Sequence, residues 1–275
     1  MISIACWLQN CPLPKLEARM LLQKVTGLSR VQLISHDEQL LSSSEFDQLQ
    51  KWQEDRLAGQ PMAYIMEERE FFGRMFYVNA DVLIPRPETE HVIEEVLSRL
   101  SKNQPAKIAD IGTGSGIIAI ILKLERPLAQ VFASDLSEQA LKVARKNAKV
   151  LQAEITFTQG SWFDGLDQIG ASTFDFIVSN PPYIEHNDPH LQQGDVRFEP
   201  RMALTDFADG LEAYRVLTEQ SFSRLKDGGW LIVEHGFDQK QAIGQLCENY
   251  LYQNITTLKD LAGLDRVTVA QKQVS

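Results

Sequence analysis

The sequence predicts an α/β fold. A mostly parallel, Rossmann-like sheet of seven strands ends in an antiparallel hairpin and is preceded by a small α-helical domain. Three observations carry this reading. From Lys107 onward, short apolar runs alternate with segments of helical periodicity, the pattern of strand–helix–strand units. A glycine-rich stretch, Asp110 to Gly116, follows the first of those runs directly. Ahead of residue 70 the apolar positions recur at helical spacing instead.

Taken in order, Leu13, Leu16, Met20, Leu21 and Val25 mark a first helical stripe, with Gly27 as its stop. Leu33, Leu40, Leu41, Phe46, Leu49, Trp52 and Leu57 continue it, with a cap in Ser42-Ser43-Ser44 and an end at Gly59-Gln60-Pro61. A partner-recognition bundle and a plain structural extension fit this pattern equally. Glu70 to Val78 is aromatic-rich and broken by Gly73, which predicts a hairpin. The prolines of Ile84-Pro85-Arg86-Pro87 stiffen a link into a helix that Glu88 or Thr89 can cap. The domain boundary is therefore expected near residue 80, giving domains 1–80 and 81–275. Strands are predicted at 107–111, 130–134, 154–158, 174–179 and 229–235, and helices at 115–125, 137–150, 209–225 and 238–250. Two last strands, near 253–259 and 265–271, lack a helix between them and form the hairpin on the sheet edge.

Composition narrows the function classes. A formal charge of −10 argues against broad binding of nucleic-acid phosphates. The apolar run Ile117 to Leu122 is too short to span a bilayer, and Met1 to Trp7 lacks a signal peptide's basic and apolar regions. Cys6, Cys11 and Cys247 have no metal-type spacing and suit a reducing compartment. A cytoplasmic monomer with no membrane partner is expected.

The chemistry sits at predicted strand ends. Gly112-Thr113-Gly114-Ser115-Gly116 opens a helix, where glycines allow a tight turn and close approach of a ligand. Its G-x-G-x-G spacing, with no Lys-Ser/Thr pair, excludes a P-loop and leaves nicotinamide and adenosylmethionine both open. Asp135 ends the second strand about twenty residues later, where a carboxylate can accept ribose hydroxyls; a helix N-cap is its competing role, contested by Ser137. Trp162, after the third strand, can stack on a base or simply fill core.

The fourth strand, Phe174 to Ser179, runs into Asn180-Pro181-Pro182-Tyr183. Two prolines keep the exit extended and rigid, and they leave an amide side chain, carbonyl acceptors and an aromatic ring on one ledge. Such a ledge suits a planar NH2 group. His186 and His190 are four apart, but Asn187-Asp188-Pro189 makes a loop of their segment, so no metal site is expected. Glu234 and His235 close a strand, either lining the pocket or packing.

These residues resemble the bacterial N5-glutamine methyltransferases that act on peptide chain release factors. The resemblance covers nearly the whole chain. It is carried by Ile84 to Glu90, Asp110 to Gly116, Asn180 to Ile184, Asp188 to His190, Gly194 to Pro200 and Glu234-His235-Gly236. It implies a class I S-adenosylmethionine-dependent methyltransferase fold, a release factor as partner, and the glutamine of its Gly-Gly-Gln motif as methyl acceptor. It further implies that Gly112 to Gly116, Asp135, Trp162 and the edge at Asn180 hold the cofactor. Asn180, Pro181, Pro182 and Tyr183 then grip the glutamine, with Asn180, Pro181 and Tyr183 catalytic. Glu67 departs from the family's usual Gly before the hairpin, and Ser161 stands where an acidic adenine contact is common. The chief rival is a nucleic-acid amino methyltransferase acting on adenine N6 or guanine N2, whose exocyclic amine fits the same ledge after base flipping. A nicotinamide oxidoreductase and a non-catalytic cofactor sensor are further alternatives.

Overall fold

The computed structural model describes residues 2–274. They form two compact units, one of residues up to Glu68 together with Gln193–Phe198, the other of Arg69–Gln192 and Glu199 onward.

The first unit is helical: α1 (Ile4–Asn10), α2 (Lys15–Thr26), α3 (Arg30–Ser35), α4 (Ser43–Leu57) and α5 (Met62–Met66). Each start is fixed by local chemistry. The Ser3 hydroxyl accepts from the Cys6 N–H, and Ser29 with Gln32 and Ser42 with Glu45 form reciprocal capping boxes. Gly27, in the left-handed region at φ 71°, ends α2 as expected. The buried side chains of Ile4, Trp7, Leu21, Leu22, Leu33 and Leu49 make the core.

The second unit opens with the hairpin of β1 (Glu68–Phe71) and β2 (Arg74–Tyr77) and then α6 (Glu90–Arg99). Then come β3 (Lys107–Ile111), α7 (Ile117–Glu125), β4 (Gln130–Asp135), α8 (Glu138–Leu151), β5 (Thr156–Gln159), α9 (Asp164–Gln168) and β6 (Phe174–Ser179). After a long connection carrying the short α10 (Arg201–Leu204), the chain forms α11 (Glu212–Arg224), β7 (Leu225–Glu234), α12 (Lys240–Asn249), β8 (Tyr252–Lys259) and β9 (Asp265–Lys272). The sheet order is β5-β4-β3-β6-β7-β9-β8, parallel through β7, with β9 antiparallel to both neighbours. Successive strand residues feed opposite faces: Phe176 and Val178 pack with α6 and α7, while Ile177 packs under α11 and α12.

Three expectations change. The hairpin falls in the second unit, not in a first domain ending near residue 80, because Phe71 and Phe76 enter the core with Val92, Ile93 and Val96. The helix α9 and the turns of the 189–204 connection, too short to show a period, escape a periodicity argument. Thr89 does not cap α6: a 3-10 turn, Pro87–Thr89, runs straight into the helix and the hydroxyl makes no cap hydrogen bond.

Candidate active site

Because β4 and β6 flank β3 on opposite sides, the strand order reverses beside β3. Open parallel sheets bind ligands at that reversal, outside the strands' carboxyl ends. A cleft lies there, lined by the loop after β3, the ends of β4 and β5, the Asn180–Pro182 exit of β6, the linker around Pro85–Thr89, and Pro200–Ala203.

The glycine loop is held from within. The Gly112 and Thr113 N–H groups both donate to the Ser134 carbonyl, at 2.9 and 3.0 Å, and the Gly114 N–H donates to the Asp135 carboxylate at 2.8 Å. The Gly112, Thr113 and Gly114 amides are therefore engaged, and at these positions the loop offers a ligand room. A Cβ on Gly112 or Gly114 would meet nothing within 4 Å, yet both residues have positive φ, at 74° and 56°. Gly116 differs, since its Cβ would sit 3.1 Å from that of Ala144, so it lets α7 and α8 approach. Beneath the loop, fully buried Asp110 accepts from the Thr113 hydroxyl at 2.6 Å and the Ala119 N–H at 3.2 Å. Burial raises its pKa to about 7. Asn147 of α8 ties the loop to the hairpin. Its Oδ1 accepts from the Tyr77 N–H, and its Nδ2 donates to the Tyr77 and Ser115 carbonyls.

At the next strand end, Asp135 also accepts from the Ser137 N–H at 2.9 Å, while Ser137 itself caps α8. Asp135 is thus freed of the capping role and held at the cleft, its pKa raised by burial. The Trp162 carbonyl accepts from the Ser134 hydroxyl, and the residue both lines the cleft and packs on the core beneath. Exposed Ser161 lines the cleft beside it.

On the far side the linker is pinned by Glu199. Its buried carboxylate accepts from the Ile84 N–H at 3.0 Å and from the Arg86 guanidinium. Asn180, Pro181 and Pro182 face the cleft. The Asn180 Nδ2 donates to the buried Thr89 hydroxyl at 3.1 Å, and Glu234, next after the Ser179–Val233 pair, stands beside Asn180.

Comparisons with known proteins show the family and the fold. Residues 93–195 match the methyltransferase small domain model, and residues 6–66 match the PrmC N-terminal domain model. A release factor glutamine methyltransferase of Neisseria gonorrhoeae is 52% identical over 96% of this chain and 96% of its own length. The chain belongs to the release factor glutamine methyltransferase family. The family's protein from Bordetella pertussis is 43% identical over 93% of this chain and 94% of its own length. Among solved structures, a methyltransferase from Pyrococcus furiosus superposes with TM-score 0.56 at 17% identity, covering 82% of this chain and 99% of that one. A T. thermophilus 16S rRNA N2 methyltransferase in complex with AdoMet and guanosine gives the same TM-score and identity, covering 75% of this chain and 50% of that one. Both show the class I methyltransferase fold.

For this member of the family, the structure brings Gly112 to Ser115, Asp135, Trp162 and Asn180–Pro182 to one cleft, whereas Gly116 is not among the lining residues and packs between α7 and α8. Tyr183 is not among the lining residues. Its ring packs on the α11–α12 side of the sheet, and its carbonyl accepts from the Gln239 side chain at 3.0 Å. His190 pairs with Asp188 at 2.7 Å and His186 lies by Phe207, and among the described residues no group of three or more His, Cys, Asp or Glu is placed to hold a metal. Sequence reasoning missed Thr89 as a partner of Asn180, and left Glu234 undecided. The composition of the Pro-Glu-Thr turn carries no signal for it.

Proposed function

We propose that this methyltransferase transfers a methyl group from S-adenosylmethionine to the side-chain amide N5 of the glutamine in the Gly-Gly-Gln motif of peptide chain release factors. The observation that carries the reading is the Asn180–Pro182 edge beside the glycine loop on one cleft, in a chain of this family. The residues present fit the cofactor: Gly112 and Gly114 leave open space where side chains would stand, and Asp135 offers spare carboxylate lone pairs beside it. Gly112 to Gly116 and Asp135 would hold it, with Trp162 against the adenine. When bound, it supplies an electrophilic methyl group on a sulfonium.

A carboxamide nitrogen is a poor nucleophile because its lone pair is delocalised into the carbonyl. Two acceptors, Asn180 Oδ1 and the Pro181 carbonyl, hold its two hydrogens and aim the nitrogen into the cleft. As the N–C bond forms and the methyl–sulfur bond breaks, its electron pair remaining on sulfur as a neutral thioether, positive charge grows on nitrogen, and those same preoriented acceptors stabilise it. One N–H proton then leaves to water, giving the neutral N-methyl amide. Pro181 and Pro182 keep the acceptors fixed, so little reorganisation accompanies transfer. Tyr183 braces the ledge from the core side rather than covering the amide.

The helical residues up to Glu68 serve, in this proposal, to dock the release factor, and the enzyme works as a cytoplasmic monomer. No described helix is long and apolar enough to cross a membrane. The test is mass spectrometry of a release factor after incubation with enzyme and cofactor. A single methyl gain on the tip glutamine peptide, absent after Gln→Glu, is the expected result. Methylation of RNA or DNA with none on the factor would overturn it.

A further inference from the structure

An asparagine amide has one donating and one accepting end, and which of them faces the cleft decides what the ledge can hold. Beside Asn180 stand two buried groups from distant parts of the chain. Thr89 comes from the 3-10 turn before α6, and Glu234 ends β7; both are 1% exposed. The Thr89 hydroxyl accepts from Asn180 Nδ2 at 3.1 Å, and Glu234 stands beside Asn180 at the strand ends, one residue past the Ser179–Val233 pair. An ionised carboxylate only accepts, so the NH2 end of Asn180 is the end that must meet it. Glu234 does not itself line the cleft, and its Oε2 lacks a hydrogen-bond partner. Burying such a carboxylate costs stability, and filling space does not require one.

We infer that Thr89 and Glu234 are positioning residues that lock the Asn180 amide with its NH2 inward and its Oδ1 toward the cleft, so that the ledge presents only acceptors. This rests on the reading of Asn180 as a holder of the substrate amide. The lock explains selection for an NH2-bearing side chain. A glutamate carboxylate, itself an acceptor, meets two acceptors and is repelled. It also makes the ledge sensitive to the protonation of Glu234. Burial raises that carboxyl's pKa to about 7 against the pull of Arg266, with Glu88, Tyr183 and Tyr214 also facing it. Neighbouring His235 is engaged with the Gly236 carbonyl and the Thr268 hydroxyl. A protonated Glu234 is a donor, and it lets the Asn180 amide turn over and offer NH2 to the cleft.

The experiment follows kcat, KM for the release factor and calorimetric cofactor affinity across pH 5.5–9 for wild type, Thr89→Val, Thr89→Ser, Glu234→Gln, Asn180→Asp and the double variant Asn180→Asp/Glu234→Gln. Thr89→Val should lower kcat by about tenfold to a hundredfold with cofactor affinity retained, and Thr89→Ser, keeping the hydroxyl, should recover most of it. Wild type should lose kcat as pH falls through about 7, and Glu234→Gln should lack that acid limb. Asn180→Asp sets two carboxylates together, whereas the double variant restores a donor inside and an acceptor outside. It should turn over at least about tenfold faster than Asn180→Asp alone. An acid limb that persists in Glu234→Gln, or a double variant no better than Asn180→Asp, overturns the lock. A wild type that leaves the release factor unmethylated instead overturns the functional reading beneath it.

Discussion

At the scale of single residues, the ledge depends on one side chain. Asn180→Ala removes an oriented acceptor but leaves the glycine loop intact. It should lower kcat by about a hundredfold or more while calorimetry still shows cofactor binding. Turnover near that of wild type would remove Asn180 from the mechanism. Glu67 is a second informative position. It ends α5 in the left-handed region at φ 53°, a conformation that disfavours every residue with a Cβ. Glu67→Gly relieves that strain and loses some backbone entropy in return, for a net stabilisation of a few tenths to about 1 kcal/mol, measurable as a raised denaturation midpoint. Its place as a departure from the family's usual glycine was legible in the sequence. Its φ was not.

At the scale of elements, the site exists because separate segments are latched together. Asn147 joins β2, α8 and the glycine loop through three hydrogen bonds, and it is buried. Asn147→Ala removes the acceptor of the Tyr77 N–H and the donor to the Tyr77 and Ser115 carbonyls, and should cost about 2–4 kcal/mol in urea unfolding, with weaker cofactor binding as the loop loosens. A loss under about 0.5 kcal/mol would mean that water replaces the amide without penalty. Period-two and period-3.6 patterns revealed the strands and the longer helices. They could not reveal Asn147, which reads as one more polar residue on an amphipathic helix. Glu199 is similar: it reaches the Ile84 N–H across 115 residues of sequence.

For the whole molecule, two of the buried carboxyls, those of Asp110 and Glu234, set a pH dependence. Asp110 and Glu234 both have pKa values raised to about 7 by burial, against 3.8 and 4.5 unperturbed. Between those limits the folded chain keeps protons that the unfolded chain has released. Their contribution to stability is therefore full below about pH 4, declines as pH rises through 7, and is flat beyond. Asp110→Asn should flatten that decline, read as a smaller difference in unfolding free energy between pH 5 and pH 8. An unchanged slope would mean that Asp110 titrates normally in the folded state.

Order and type of the principal elements, the glycine loop, Asp135 and the Asn-Pro-Pro ledge were determined by sequence alone, because each rests on local chemistry. Alternating burial, positive φ at glycine and proline's fixed φ act within a few residues. Tertiary structure decided the rest. It placed 193–198 with the helical unit, turned Tyr183 away from the cleft, and took the Thr89 hydroxyl from a helix cap to Asn180, 91 residues on. An amide's orientation is set by what it touches. For Asn180 those partners arrive from two other elements, and only folding brings them together.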